Sequence, residues 1–404
     1  MTATVDPAAD VRTARLGVFG IFALCGVTVG LWGAALPAIN HRLDLGEARL
    51  GTVLLATGMG ALVCMPVAGR LCDRLTSRRV VAFAEPVSTL TLLGPALAPS
   101  YPVLLAATGV FGGAIGALDV SMNAHAVRVE QRWPRPVLSA FHGVWSLGGV
   151  FGGAMIAAGL HWGADVRYVM TTGALAAALL VRLPTSRLLT DERVGSDADP
   201  GAADAGGGRL PLRLVVALGA VAFAAFVSEG AAMDWAALHA NRALGADLSS
   251  ATFAFIVFTA AMTSMRLAGD RVRHRFGPVG TLRRCAVTAV AGYGLVLLSP
   301  AVGGVYVGYA AWFLVGIGLS VVVPVIFAGA GSGEAAGTAL SKVTTFGYVG
   351  MLAGPSVIGP LGEATSLAVA MVVPATLCVA LALGGPVALR RALARRESRE
   401  LGCS

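Results

Sequence analysis

The chain has 404 residues, of which 56% are hydrophobic and only 13% charged, and its mean hydropathy is +0.76. Soluble globular chains are about 45–50% apolar and about 25% charged, so ordinary cytosolic, secreted and disordered classes are excluded. Twelve spans of about 20 residues would absorb this apolar fraction.

The apolar runs fall in order at about 16–39, 49–71, 80–98, 102–127, 137–160 and 165–184, then 211–238, 249–269, 281–300, 304–330, 336–360 and 366–389. The first run is too long for a signal-peptide core and lacks a cleavage site, so it reads as a span behind an N-terminal tail, 1–15. Breaks inside the two closest pairs fall at Ala98-Pro99-Ser100-Tyr101 and Pro300-Ala301-Val302-Gly303, where Pro and Gly stop helices. The longest polar stretch, 185–210, is rich in Asp, Ala and Gly and reads as a cytoplasmic linker between six-helix halves at 16–184 and 211–389. A basic tail, 390–404, follows. Six scattered cysteines have neither metal-type nor disulfide-framework spacing, and no metal or cofactor is expected.

A net charge of +8 would point to nucleic acid in a soluble protein. Here its placement is a topology signal. With the N-terminus inside, external segments hold four arginines (Arg42, Arg49, Arg167 and Arg242), against twenty-five on the internal side. Basic residues stay cytoplasmic, so both termini are expected inside a multi-pass plasma (cytoplasmic) membrane protein with no nucleic-acid partner. The tail arginines, Arg390 to Arg399, are expected to lie against an anionic leaflet.

Internal symmetry adds to this picture. Asp73-Arg74 follows the second span with Arg78 close behind, and Asp270-Arg271 follows the eighth, 197 residues on. Gly149 to Gly153 in span five and Gly350 to Gly354 in span eleven recur at an offset of 201. The pattern predicts an all-α membrane protein with twelve helices in two pseudo-symmetric bundles. Glycine pairs such as Gly112-Gly113, Gly148-Gly149 and Gly152-Gly153 let helices approach closely. There is no Walker A motif. The glycines at 331–337 follow a membrane helix rather than a strand, so they fail as a dinucleotide fingerprint.

The two Asp-Arg loops resemble the signature loop of the major facilitator superfamily, with Thr76 where that loop carries Gly. The resemblance covers about Leu16 to Arg391. Span four lacks the Arg of drug–proton antiporters. It carries Asp119 and Asn123 instead, followed on span five by Phe141-His142-Gly143-Val144-Trp145, and this pair is similar to the branch around fucose-permease-type sugar–proton symporters. The resemblance implies alternating access without a cofactor, driven by a proton gradient, by a protein working as a monomer. It also implies an inner gate held by Asp73, Arg74, Arg78, Asp270 and Arg271, with a proton-taking acid at the position of Asp119.

Ionisable side chains at membrane depth need a partner, a cavity or a role. Asp119 lies about 25 Å into its span, and Asn123 one turn further on the same face. His142 falls in the same inner half, so the three could face one aqueous cavity where a partly desolvated carboxyl exchanges protons. Asp119 could instead be a structural acceptor, His142 a bridge between helices, and Trp145 either a sugar-stacking ring or helix packing. Glu229, roughly 27 Å along span seven, and Trp32, mid-span in helix one, are candidate cavity residues. Asp234 with Trp235 and Asn40 fall near the outer interface. Glu85, beside Pro86 and close to the basic loop, reads as a solvated or Arg-paired acid. Lys342 reads as snorkelling to the cytoplasmic interface. The expected function is proton-coupled transport of a small polar solute. The alternatives are proton-driven export of drug-like or secondary metabolites and a non-transporting receptor. No nucleophile–base or metal constellation suggests an enzyme.

Overall fold

Backbone amides in hydrocarbon must be satisfied within their own segment, which leaves helices for a chain this apolar. The computed structural model describes residues 7–134, 137–189, 211–330 and 336–400, and these contain helices and turns but no strand. In chain order the helices are α1 Pro7–Leu43, α2 Gly46–Leu75, α3 Ser77–Leu97, α4 Tyr101–Gln131, α5 Leu138–His161 and α6 Val166–Thr185. Then come α7 Leu212–Arg242, α8 Leu248–Gly269, α9 Arg271–Val302, α10 Gly304–Phe327, α11 Ala336–Ala364 and α12 Leu367–Arg395. Eleven of these contain a stretch long and apolar enough to cross a membrane, and α11 holds the remaining position of the expected twelve. The linker at 185–210 and the glycine run at 331–337 fall largely outside the described residues.

Two compact units divide the chain. One comprises residues 1–194 with Ala246–Thr259, which includes the first part of α8, and the other residues 195–245 with 260–404. In the first unit α1 packs chiefly on α5 and α2 on α4; in the second, α7 packs on α11, which is the α1–α5 pairing repeated six helices later. The interfaces are built on glycine. A Cβ added at Gly112 of α4 would strike the Thr57 carbonyl oxygen of α2, and one at Gly30 of α1 would strike the Gly149 carbonyl of α5. Small residues replace a hydrophobic drive between helices that lipid cannot supply.

Helices overrun the expected span ends. The basic segment between spans eight and nine is helical apart from one break at Gly277 (φ 67°, ψ 168°), and the C-terminal helix continues through Arg390 and Arg395. Arginine is a good helix former, so leaving the bilayer does not end the helix. The α2–α3 loop turns at Thr76, with φ 108° and ψ 145°. Thr76 and Gly277 are 201 residues apart, the offset of the glycine clusters in spans five and eleven. In this register Asp73 and Arg74 correspond to His274 and Arg275, and Asp270 corresponds to Gly69, one turn from where the Asp-Arg pairs alone would align it.

Two helix starts outside the spans carry acidic caps. Asp165 Oδ1 accepts from the Arg167 amide at 2.8 Å at the head of α6. Asp247 Oδ1 accepts from the amides of Ser249 and Ser250 at 2.9 and 3.0 Å at the head of α8. The Arg167 side chain and amide hold Asp165 below the usual carboxylate range; the Ser250 hydroxyl and then its amide do the same for Asp247. A depressed folded value contributes stability above the unfolded carboxylate range, and that stability is lost as pH falls through the folded value.

Asp247→Ala is therefore expected to cost about 1 kcal/mol at neutral pH. It should also flatten the loss of stability below about pH 4, read by thermal unfolding in detergent across a pH series. Thr76 is β-branched in a conformation that favours glycine, so Thr76→Gly should stabilise by about 1 kcal/mol, raising the unfolding midpoint in the same assay.

Candidate functional site

Asp119 and Asn123 are one turn apart on α4, and the helical period brings their side chains together. Asn123 Nδ2 donates to Asp119 Oδ1 at 3.1 Å and to the Asp119 carbonyl at 2.8 Å, and both residues are half-buried. The amide supports one carboxyl oxygen within the span. Across from it, α1 presents Phe22 and Cys25 three residues apart. The Phe22 ring meets the His142 ring edge-on at 5.2 Å. Cys25 lies within electrostatic range of Asp119, and the Trp145 indole reaches the same thiol. So α1 stands between Asp119 on α4 and the His142–Trp145 pair on α5. His142 is exposed while its neighbour Phe141 is fully buried in the apolar core of this unit, and Trp145 packs against that core. The expected grouping of Asp119, Asn123, His142 and Trp145 is therefore arranged around Phe22 and Cys25.

The second unit places an opposite charge at depth. Glu229, in the middle of α7, accepts from Arg266 Nη2 of α8 at 2.9 Å, with side-chain exposures of 22% and 19% for Arg and Glu. Arg266 Nε also donates to the Ser320 carbonyl at 3.2 Å. Pro324 explains that contact. Having no N–H, it cannot serve the carbonyl four residues back, which is Ser320. Helix α10 is interrupted at Ser320 and Val321, and the guanidinium fills the vacancy in the ladder. Nearby, Tyr293 Oη donates to the Ser228 carbonyl at 2.5 Å, beside Glu229. Arg266 is thus paired with Glu229 within the second unit, whereas the loop charge count had grouped it with the cytoplasmic arginines. Its position inside the span-eight run was the available signal. Asp234 is half-buried further along α7.

Other expected residues take different places. Trp32 is buried with its ring 5.7 Å from that of Phe111, so it packs α1 on α4. Asn40 is fully buried, and neither of its side-chain polar atoms has a partner. Lys342 is exposed. Glu85 overturns its reading as a solvated or paired acid. It is fully buried on α3, with no partner for either carboxyl oxygen. In the gating loops Arg74 and Arg271 are exposed and Arg78 is partly buried, and the side chains of Asp73 and Asp270 lie outside the described residues. Among the described residues no cluster of three or more His, Cys, Asp or Glu forms a metal site.

Two glycine-packed helical units carrying a few charged side chains within their spans define a polytopic membrane transporter. The chain matches the Major Facilitator Superfamily over residues 18–355, and it belongs to that family. It is 32% identical to an uncharacterized transporter of Sinorhizobium fredii over 378 residues, 92% of this chain and 97% of the relative. Its fold is similar to that of a point variant of the nucleoside transporter NupG, with TM-score 0.75 and 14% identity over 94% of this chain and 99% of the other. It is also similar to the Escherichia coli fucose:proton symporter FucP, with TM-score 0.61 and 17% identity over 94% of this chain and 98% of the other.

Removing one member of the Glu229–Arg266 pair strands the other charge. Glu229→Gln and Arg266→Gln are each expected to cost about 3 kcal/mol. The double variant should recover about 2 kcal/mol of the summed loss, measured as a double-mutant cycle on thermal unfolding in detergent.

Proposed function

We propose that this transporter moves a small polar solute by alternating access, coupled to protons through Asp119. The observation that carries the reading is the Asp119–Asn123 pair, half-buried in α4 and paired with a neutral amide rather than a cation. A cation would fix the negative charge; an amide hydrogen-bonds the carboxylate and adds no charge of its own, leaving the group able to take and release a proton. Intramembrane acids of this kind mark ion and proton pathways in transporters. Trp145 beside Cys25 and His142 beside Phe22 offer a ring face and a polar edge to a solute that is itself polar and planar or cyclic.

The Glu229–Arg266 pair supports the same reading in the other unit. A fixed cation and anion, each about one-fifth exposed, can hydrogen-bond hydroxyl or amide groups of a polar solute without changing protonation. No soluble cofactor enters this scheme, and the driving force is the proton gradient. The excess of arginines on one side supports cytoplasmic termini and a cytoplasmic-membrane location. A single chain contains both units and suffices as the working protein.

A thermal-shift screen of the purified protein against sugars, nucleosides, organic acids and antibiotics identifies the solute by the stabilisation that binding confers. In proteoliposomes with an imposed pH gradient, Asp119→Asn is expected to abolish accumulation of that solute while leaving its stabilising effect in place. Undiminished gradient-driven accumulation in the variant would show that the proton travels elsewhere.

A further inference from the structure

Arginine gathers at the end of α12. Leu383, Val387, Arg391 and Arg395 recur there at four-residue steps, which puts them on one face of the helix. Leu383 and Val387 are 73% and 48% exposed although they lie within a span, so this face looks out on lipid. At the helical rise Arg391 lies about 6 Å beyond Val387, and Arg395 about 12 Å beyond it. The interfacial layer on each side of a bilayer is about 5–8 Å thick. With Val387 at the edge of the hydrocarbon, Arg391 therefore stands at the level of the lipid phosphates.

Helix α7 begins at the same end of the second unit and packs on α12. A groove of about 930 Å³ opens between the two helices, with Arg213 and Leu214 on the α7 side and the face from Leu383 to Arg395 on the α12 side. Three guanidiniums thus border one groove, and no carboxylate is among its described lining residues. Arg213, Arg391 and Arg395 are exposed, and among the described residues none of them is hydrogen-bonded or ion-paired within the protein. Like charges around one groove repel, and an anion placed among them removes that repulsion.

The groove on the other flank of α12 is different. Arg283, Arg284 and Arg390 line it, but Arg284 is already engaged. Its guanidinium lies 3.9 Å from the centre of the Phe276 ring, and its Nη1 donates to the Gly280 carbonyl at 3.2 Å.

Charge alone would suit any anion, and the apolar wall narrows the choice. Guanidinium forks match the oxygens of a phosphate. The groove then continues past Val387 and Leu383 into the hydrocarbon, where inorganic phosphate has no apolar part to place. Small-molecule pockets run to roughly 1,000 Å³, so this volume also exceeds what a lone phosphate fills.

We propose that the α7–α12 groove binds one anionic phospholipid, its phosphate held by Arg213, Arg391 and Arg395 and an acyl chain laid along Leu383 and Val387. Bound there, the lipid joins the start of α7, the helix that carries Glu229, to the end of α12. Diffuse attraction of a basic tail to an anionic leaflet would not single out Arg213, which heads a different helix. The site is independent of Asp119 and of the transported solute.

Delipidated full-length protein in detergent is titrated with dioleoylphosphatidylglycerol or dioleoylphosphatidylcholine and followed by native mass spectrometry. The first phosphatidylglycerol is expected to bind in clear preference to phosphatidylcholine. Arg213→Gln combined with Arg391→Gln should weaken it about thirtyfold. Arg396→Gln combined with Arg399→Gln removes the same charge further along the tail and should leave it unchanged. Thermal unfolding of the unmodified protein gives a second reading. Phosphatidylglycerol should raise the midpoint, whereas phosphatidylcholine or inorganic phosphate at equal concentration should not.

Equal binding of the two lipids would overturn the proposal. Equal weakening in the two double variants would mean diffuse attraction and overturn it as well. A midpoint raised as far by inorganic phosphate would reassign the groove to a free anion, and one raised as far by phosphatidylcholine would remove the role of charge; either sinks the proposal without recourse to a variant.

Discussion

A polar group inside a bilayer has no water to fall back on, and the architecture of this chain follows from where each such group finds its partner. Backbone groups are satisfied along helices. Where a proline removes an N–H, another group takes over, as Arg266 does for the Ser320 carbonyl ahead of Pro324. Side chains obey the same rule. Asp119 has Asn123, Glu229 has Arg266, and His125 spans from Ser77 to the Leu189 amide. Against that background Glu85 and Asn40 stand out as exceptions, both fully buried with no partner for their side-chain polar atoms.

Close packing of small residues is the second half of the constraint. Glycines at α1–α5 and α2–α4 bring backbones so near that a single added methyl would meet a carbonyl oxygen. Such interfaces are tight without long side chains, which lets helices shift against one another with few rotamers to rearrange. The polar groups then sit on helices whose spacing is set by backbone contact, and this gives the Asp119 site on α4 and its neighbours on α1 and α5 a defined geometry.

How much of the site could be read from the chain depends on how local each interaction is. Asn123 beside Asp119 was legible because four residues is one turn, and the helix alone brings the pair together. The Glu229–Arg266 pair was not, since thirty-seven residues and a loop separate its members. Periodicity says nothing about which arginine in a basic segment turns inward. Glu85 misled for a related reason. Its nearness in sequence to the basic loop suggested a paired acid, but it is fully buried, within electrostatic range of Cys25 on α1. The repeat register was blurred by a second Asp-Arg pair, and only the matching backbone turns at Thr76 and Gly277 align the two loops.

Composition and span length by themselves determined the membrane class, the twelve helices and the division into two matched sixes. These follow from summed hydrophobicity and from a recurrence visible along the chain, neither of which needs contacts between distant residues. The tertiary structure alone decided which polar groups are partnered, because partnership depends on helix rotation and on the side chains of helices far away in sequence. That is why Asp119 could be named from the chain, whereas the inward turn of Arg266 and the isolation of Glu85 could not.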